Sequence, residues 1–197
     1  MARLNREAKK TRRNRIWMGA ITIIIMVSGG LGIFAGELGP GENSMAYGDF
    51  MFENKPQGWK IEIDNQNMYF VYHPFEVDKY NLSQNATNML SGASAIHLSN
   101  DPNSALALPV ARSQDYLASY LYQYKGKIIS NGFSVETQYE VPLITCDNAT
   151  KDVPVILFEE GELEIVEEEN CIHLNSPDEY GYGLLVDRVL YAIFGVI

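Results

Sequence analysis

Two cysteines, three histidines and a crowd of glutamates are the residues of this 197-residue chain that could do chemistry. Cys146 and Cys171 are the only cysteines, 25 positions apart. Both fall near strand-like ends and flank a hairpin, so they read as one disulfide. Loop-closure entropy assigns such a bridge roughly 3 kcal/mol, a sizeable share of ordinary domain stability. A catalytic dithiol normally sits as C-x-x-C beside a helix N-terminus that tunes the thiolate. This spacing does not provide that, and a redox pair is the lesser reading.

His73, His97 and His173 each fall in or beside a strand-like run. As neighbours in one sheet their imidazoles could converge on a metal, yet no H-x-H or H-x-x-x-H pair exists. The expectation is satisfied or half-exposed histidines, with no metal ligands and no cofactor. Glu159, Glu160, Glu162, Glu164, Glu167, Glu168 and Glu169 resemble a cation site at first sight. Glu162 and Glu164, however, alternate with Leu163 and Ile165 as on the wet face of a strand, and the ligand order of a calcium loop is absent. Neither G-x-S-x-G, a phosphate-cradling Gly loop nor H-E-x-x-H occurs, so no catalytic residue is nominated.

The elements that must carry these residues begin with a charge asymmetry. Residues 1–15 hold seven of the 15 Lys and Arg against one acid, Glu7, leaving 8 basic and 24 acidic residues beyond them. So acidic a domain is unsuited to nucleic acid, whose phosphates need a basic surface. From Ile16 to Ala35 no residue is charged, and 20 residues make about 30 Å of helix, the thickness of the bilayer hydrocarbon. Basic residues before this run and Glu37 and Glu42 after it predict a single-pass signal-anchor. The N-terminus is then cytoplasmic and the C-terminal domain outside the cell membrane. A cleaved signal peptide fits less well, because the apolar run is long and Ile33-Phe34-Ala35 matches the A-x-A cleavage pattern poorly. Ser28, Gly32 and Gly36 recur every four residues and share a helix face, the geometry of small-xxx-small pairing. They make a homo-oligomer or a membrane-complex partner an option beside the lipid bilayer.

The expected organisation is a basic tail (1–15), a transmembrane helix (16–36), a Gly/Pro/Ser-rich linker (37–47) and an extracytoplasmic α+β or α/β domain (48–197). In that domain Trp59–Ile63 alternates apolar and polar, Asp64-Asn65-Gln66-Asn67 turns, and Met68–Tyr72 returns as a hairpin. A short helix is expected within 75–91, a strand at 95–98 and a long helix over 104–130. Asn131-Gly132 would stop that helix. Strands are expected at 133–142, 153–158, 163–166 and 171–174. A closing helix at 180–197 is apolar almost all round and should be buried. Three sequons at Asn81, Asn85 and Asn148 all lie on the exported side and are candidate glycosylation sites of a glycoprotein.

The basic tail, the Ile-rich span, ITCDNAT at 144–150, VPVILFEEG at 153–161, ENCIHL at 169–174 and the ending DRVLYAIFGVI together resemble uncharacterised archaeal single-pass membrane proteins of this size. That resemblance implies topology and no chemistry. The order strand (67–73), helix (75–91), strand (95–99), helix (104–130), strands (153–158, 163–167), helix (180–197) is similar to thioredoxin-like folds, with Val153-Pro154-Val155 where that family places a proline before a core strand. No C-x-x-C precedes the first helix, so this likeness would carry the fold, as one mixed sheet packed by two or three helices, without the redox activity. The leading functional expectation is a non-catalytic interaction or envelope-associated module. Its alternatives are a thioredoxin-like redox accessory protein and a subunit of a membrane complex.

Overall fold

The computed structural model describes residues 43–197. The basic tail, the expected span at 16–36 with Ser28, Gly32 and Gly36, and most of the linker lie outside the described residues. Among the described residues no helix is long and apolar enough to cross a membrane. The end of the expected linker is already structured, because β1 runs from Ser44 to Tyr47.

β1 opens a four-stranded meander with β2 (Phe50–Lys55), β3 (Gly58–Ile63) and β4 (Gln66–Phe70), arranged in chain order. The β3–β4 hairpin stands where one was expected, but Gln66 and Asn67, expected in the turn, open β4, which ends at Phe70 instead of Tyr72. Ile63 pairs with Gln66, and the two residues between them, Asp64 and Asn65, both have positive φ. That is the backbone a two-residue turn needs to follow the right-handed twist of its strands, and Asn and Asp tolerate it.

Two helices stand where one was expected. α1 (Pro74–Val77) is capped by His73, and α2 (Gln84–Gly92) by Ser83, whose hydroxyl accepts from the Ala86 N–H at 3.1 Å. After β5 (Ala95–Asn100), α3 spans Ala107–Lys125 and stops five residues before the expected end. Gly126, at φ +64°, caps it in the left-handed region, where a side chain is strained. Ile128–Phe133 then form β6, pairing in parallel with β5. Asn131-Gly132 therefore lies in a strand instead of stopping a helix. A Cβ on Gly132 would come within 2.4 Å of the Ile144 side chain, so glycine lets that residue close onto the strand. The strand expected at 133–142 is absent. That stretch is irregular, with a lone bridge between Phe133 and Leu143 and a 3-10 turn at Cys146–Asn148.

β7 (Val155–Glu160), β8 (Glu164–Glu168) and β9 (Cys171–Ser176) complete a second sheet in the order β6-β5-β7-β9-β8. Every pairing in it is parallel except that of edge strand β8 with β9. The domain is thus mixed α+β with two sheets and four helices, and the single mixed sheet expected from sequence is replaced by two. Strands 66–70 and 95–100, successive in the thioredoxin-like order, belong to different sheets. The meander pairs through local hairpins, and the outer edge of β4 is met by tyrosines of α3 instead of by β5.

α4 (Glu179–Phe194) explains the apolar ending. Asp178 accepts from the Gly181 N–H at 2.8 Å, and nearly every residue from Gly181 to Phe194 is buried. Tyr191 packs on Phe52 and Phe70 of the meander, and Phe158 of the second sheet packs on Tyr182. Covered by the two sheets and by α1, α2 and α3, this helix has no wet face to make polar. The other side of the second sheet carries a smaller core of Ile144, Val155, Leu157 and Cys171, covered by the irregular segment 134–154.

Candidate functional site

β9 begins at Cys171, and strand alternation puts Cys171 and His173 on one face. Register pairs them with Val155 and Leu157 of β7, so that face looks toward the irregular segment. The 3-10 turn delivers Cys146 from above. It is closed by Asn148, whose Oδ1 accepts from the Thr145 N–H at 2.8 Å, and by Ala149, whose N–H donates to the Cys146 carbonyl at 3.0 Å. The two sulfurs stand at bonding distance, 2.06 Å, making the expected disulfide. Cys171 is buried and Cys146 partly exposed.

His173 makes this more than a staple. Its Nε2 lies 3.4 Å from Cys146 Sγ, and its Nδ1 lies 2.6 Å from a carboxylate oxygen of Glu159. Glu168, directly across from Cys171 on β8, brings an oxygen to 3.4 Å from the same Nε2. One ring nitrogen thus faces Glu159, and the other faces both the Cys146 sulfur and the Glu168 carboxylate. The ligand atoms of Cys146, Cys171 and His173 all lie within 4.8 Å of one another. The three histidines do not converge. His73 caps α1 inside a ring of Phe52, Trp59 and Phe75, where burial pushes its pKa down. His97 pairs with Val155 on the far side of β7 from Cys171.

No family model, curated protein or solved structure matches this chain. Function therefore rests on the chemistry of the chain's own sites. His173 was not placed beside the cysteines from sequence, because Cys171 and His173, at i and i+2, share a face only if the segment is a strand. Joined to Cys146 by the disulfide, that spacing was the available signal.

Two other concavities are partly closed by the chain's own acids. In an open parallel sheet, ligands favour the crevice where successive crossovers diverge, which here lies beyond β5 and β7. Glu160 occupies it from within, accepting from the Ser104 hydroxyl and, at 3.4 Å, from the Leu106 N–H at the start of α3. A groove of about 650 Å³ runs along α2 toward the β8–β9 turn, with Asn85, Met89, Lys151 and Glu169 in its walls. Glu167 closes one end by accepting from the Ser83 N–H and hydroxyl at 2.5 and 2.6 Å. Of the sequon residues, Asn81 and Asn85 are exposed beside this groove or before α2, and Asn148 is exposed in the 3-10 turn beside the disulfide.

Proposed function

We propose that the chain is a membrane-anchored, extracytoplasmic interaction module without catalytic activity of its own, presenting the segment 134–154 to a protein partner. The observation that supports this is a loop tied to the second sheet while several of its apolar side chains stay outside. The disulfide at Cys146 and the buried Ser99 hydroxyl, which donates to the Ile144 carbonyl at 2.6 Å, both hold its middle. Just before these two ties Tyr139, Val141 and Leu143 remain exposed. Apolar side chains grouped on an ordered loop are the ordinary composition of a recognition surface. A disulfide is at home outside the cytoplasm, as the basic tail before an uncharged run would have it.

The test is labelling of intact cells with a membrane-impermeant thiol reagent, paired with a photo-crosslinking residue at position 139. Labelling of Cys146 and Cys171 only after reduction, with a discrete adduct from position 139 and none from the exposed Tyr122, is the expected result. Labelling confined to lysed cells would overturn the exported topology, and the absence of any adduct would overturn the interaction surface.

A redox accessory role is favoured by one observation, the His173 Nε2 beside the partly exposed Cys146 sulfur. It needs no thioredoxin-like arrangement. Free labelling without reductant would move the assignment to this reading.

A further inference from the structure

We propose that Cys146, Cys171 and His173, with Glu168 as the fourth ligand, form a zinc-class metal site that opens when the disulfide is reduced. This goes beyond the interaction reading and stands on the residues alone.

Tetrahedral zinc takes sulfur at about 2.3 Å and imidazole nitrogen at about 2.0–2.1 Å, which sets ligand separations of roughly 3.5 Å for S···N and 3.8 Å for S···S. The Nε2 to Cys146 Sγ distance is already 3.4 Å, and Glu168 already brings an oxygen to 3.4 Å from Nε2. The 2.06 Å between the sulfurs is too short, and only breaking that bond can change it; all three Cys and His ligand atoms lie within 4.8 Å of one another. Cys146 stands on a partly exposed turn and Cys171 on a buried strand, so the turn side chain is the one with room to move. Glu159 holds His173 by Nδ1, the carboxylate–histidine arrangement that fixes the tautomer and aims Nε2 at a metal. Two thiolates with an imidazole select zinc over magnesium or calcium, which take oxygen ligands.

A dithiol reductant supplies two electrons and two protons. The Cys146–Cys171 bond breaks to two thiols, and the reductant leaves as its own cyclic disulfide. Zinc binding then displaces the two thiol protons to solvent. The metal replaces the lost S–S bond as the tether of segment 134–154, so one site has two locked states.

Purified full-length chain in detergent, oxidised or reduced with dithiothreitol and desalted without air, would be titrated with Zn²⁺ against a chromogenic chelator. Co²⁺ would serve as the spectroscopic stand-in. One equivalent is expected in the reduced protein, at least 100-fold tighter than in the oxidised one, with cobalt giving tetrahedral bands and thiolate charge transfer. Glu159→Gln should weaken binding roughly 10–100-fold while keeping the tetrahedral spectrum. His173→Gln should weaken it at least tenfold. Affinities within threefold for the two redox states, or an octahedral cobalt spectrum, would overturn the site. If His173→Gln does not fold, the exposed Glu168→Gln decides: a tenfold loss supports the site and no loss overturns it. Inverted topology in the labelling experiment would sink the exported reading and leave this site untouched.

Discussion

Asp187 is the one fully buried acid among the described residues, and it sits in the helix at the centre of the molecule. It accepts from the Tyr72 N–H at 2.7 Å and from the Tyr116 hydroxyl at 2.9 Å, while Tyr191, one turn later, donates to the Tyr72 carbonyl at 2.6 Å. Both backbone groups of Tyr72, stranded where the chain leaves the meander, are thereby satisfied. Burial is the largest influence on the carboxyl and pushes its pKa up to about 7, with the hydrogen bonds from Tyr72 and Tyr116 opposing. A folded pKa above the unfolded value means that the native state holds the proton more tightly. This group's contribution is complete below about pH 4 and is lost as pH rises through about 7. The three-unit gap bounds the effect at about 4 kcal/mol. Asp187→Asn keeps an acceptor for Tyr72 and removes the titration. Urea midpoints at pH 5 and pH 8 should therefore show a variant that gains on the wild type at the higher pH. Parallel pH dependence in the two proteins would refute this account of the buried acid.

At the scale of elements, the two sheets are joined by tyrosines. Tyr116, Tyr120 and Tyr124 recur every four residues along one face of α3, where they lie against the open edge of β4. The Tyr120 hydroxyl takes both the N–H and the carbonyl of Tyr69, and Tyr124 donates to the Asn67 carbonyl at 3.3 Å. An edge strand that would otherwise offer unpaired backbone groups is covered by a helix instead. Tyr120→Phe keeps the ring and uncovers that edge. A loss of about 1–2 kcal/mol is expected, together with faster hydrogen exchange at the Tyr69 amide. Tyr122→Phe on the wet side of α3 should leave both unchanged, and equal exchange in the two variants would remove the edge-covering role. α2 is held in the same tertiary way. Glu167 from β8 sits at its positive N-terminus, and the buried Lys127 donates to the Ser91 carbonyl at its C-terminus at 2.9 Å.

For the whole molecule the governing quantity is charge. Residues 16–197 carry 24 acidic and 8 basic side chains. The lysine and arginine ion pairs of the described residues, Lys55–Glu53, Lys60–Glu53 and Arg112–Glu179, lie toward the surface, where such pairs stabilise little. Self-repulsion therefore remains, and salt should relieve it. Raising sodium chloride from 0.05 to 0.5 M should lift the thermal midpoint by a few degrees, on the order of 1 kcal/mol. A midpoint that is flat or falls with salt would show that local pairs outweigh the net field.

Local patterns determined much of this protein from sequence. Alternation at Trp59–Ile63, a turn starting at Asp64 (shorter than the four residues expected) and the all-round apolar ending each require only near neighbours, and each is found in the fold. The cysteine pairing was also legible, since two cysteines have a single intramolecular partner choice. Tertiary structure decided what depends on distant segments. Ile128–Phe133 became a strand because β5 offers a parallel edge that outweighs any continuation of α3 past Gly126. The 133–142 run stayed irregular, with Tyr139 and Val141 exposed and none of its residues in the small second core. His173 meets Cys146, Glu159 and Glu168 across 27, 14 and 5 positions of chain, through a strand order no local pattern encodes. Side chains separated along the chain become one site only when a sheet register sets them opposite each other, and register is a property of the assembled sheet.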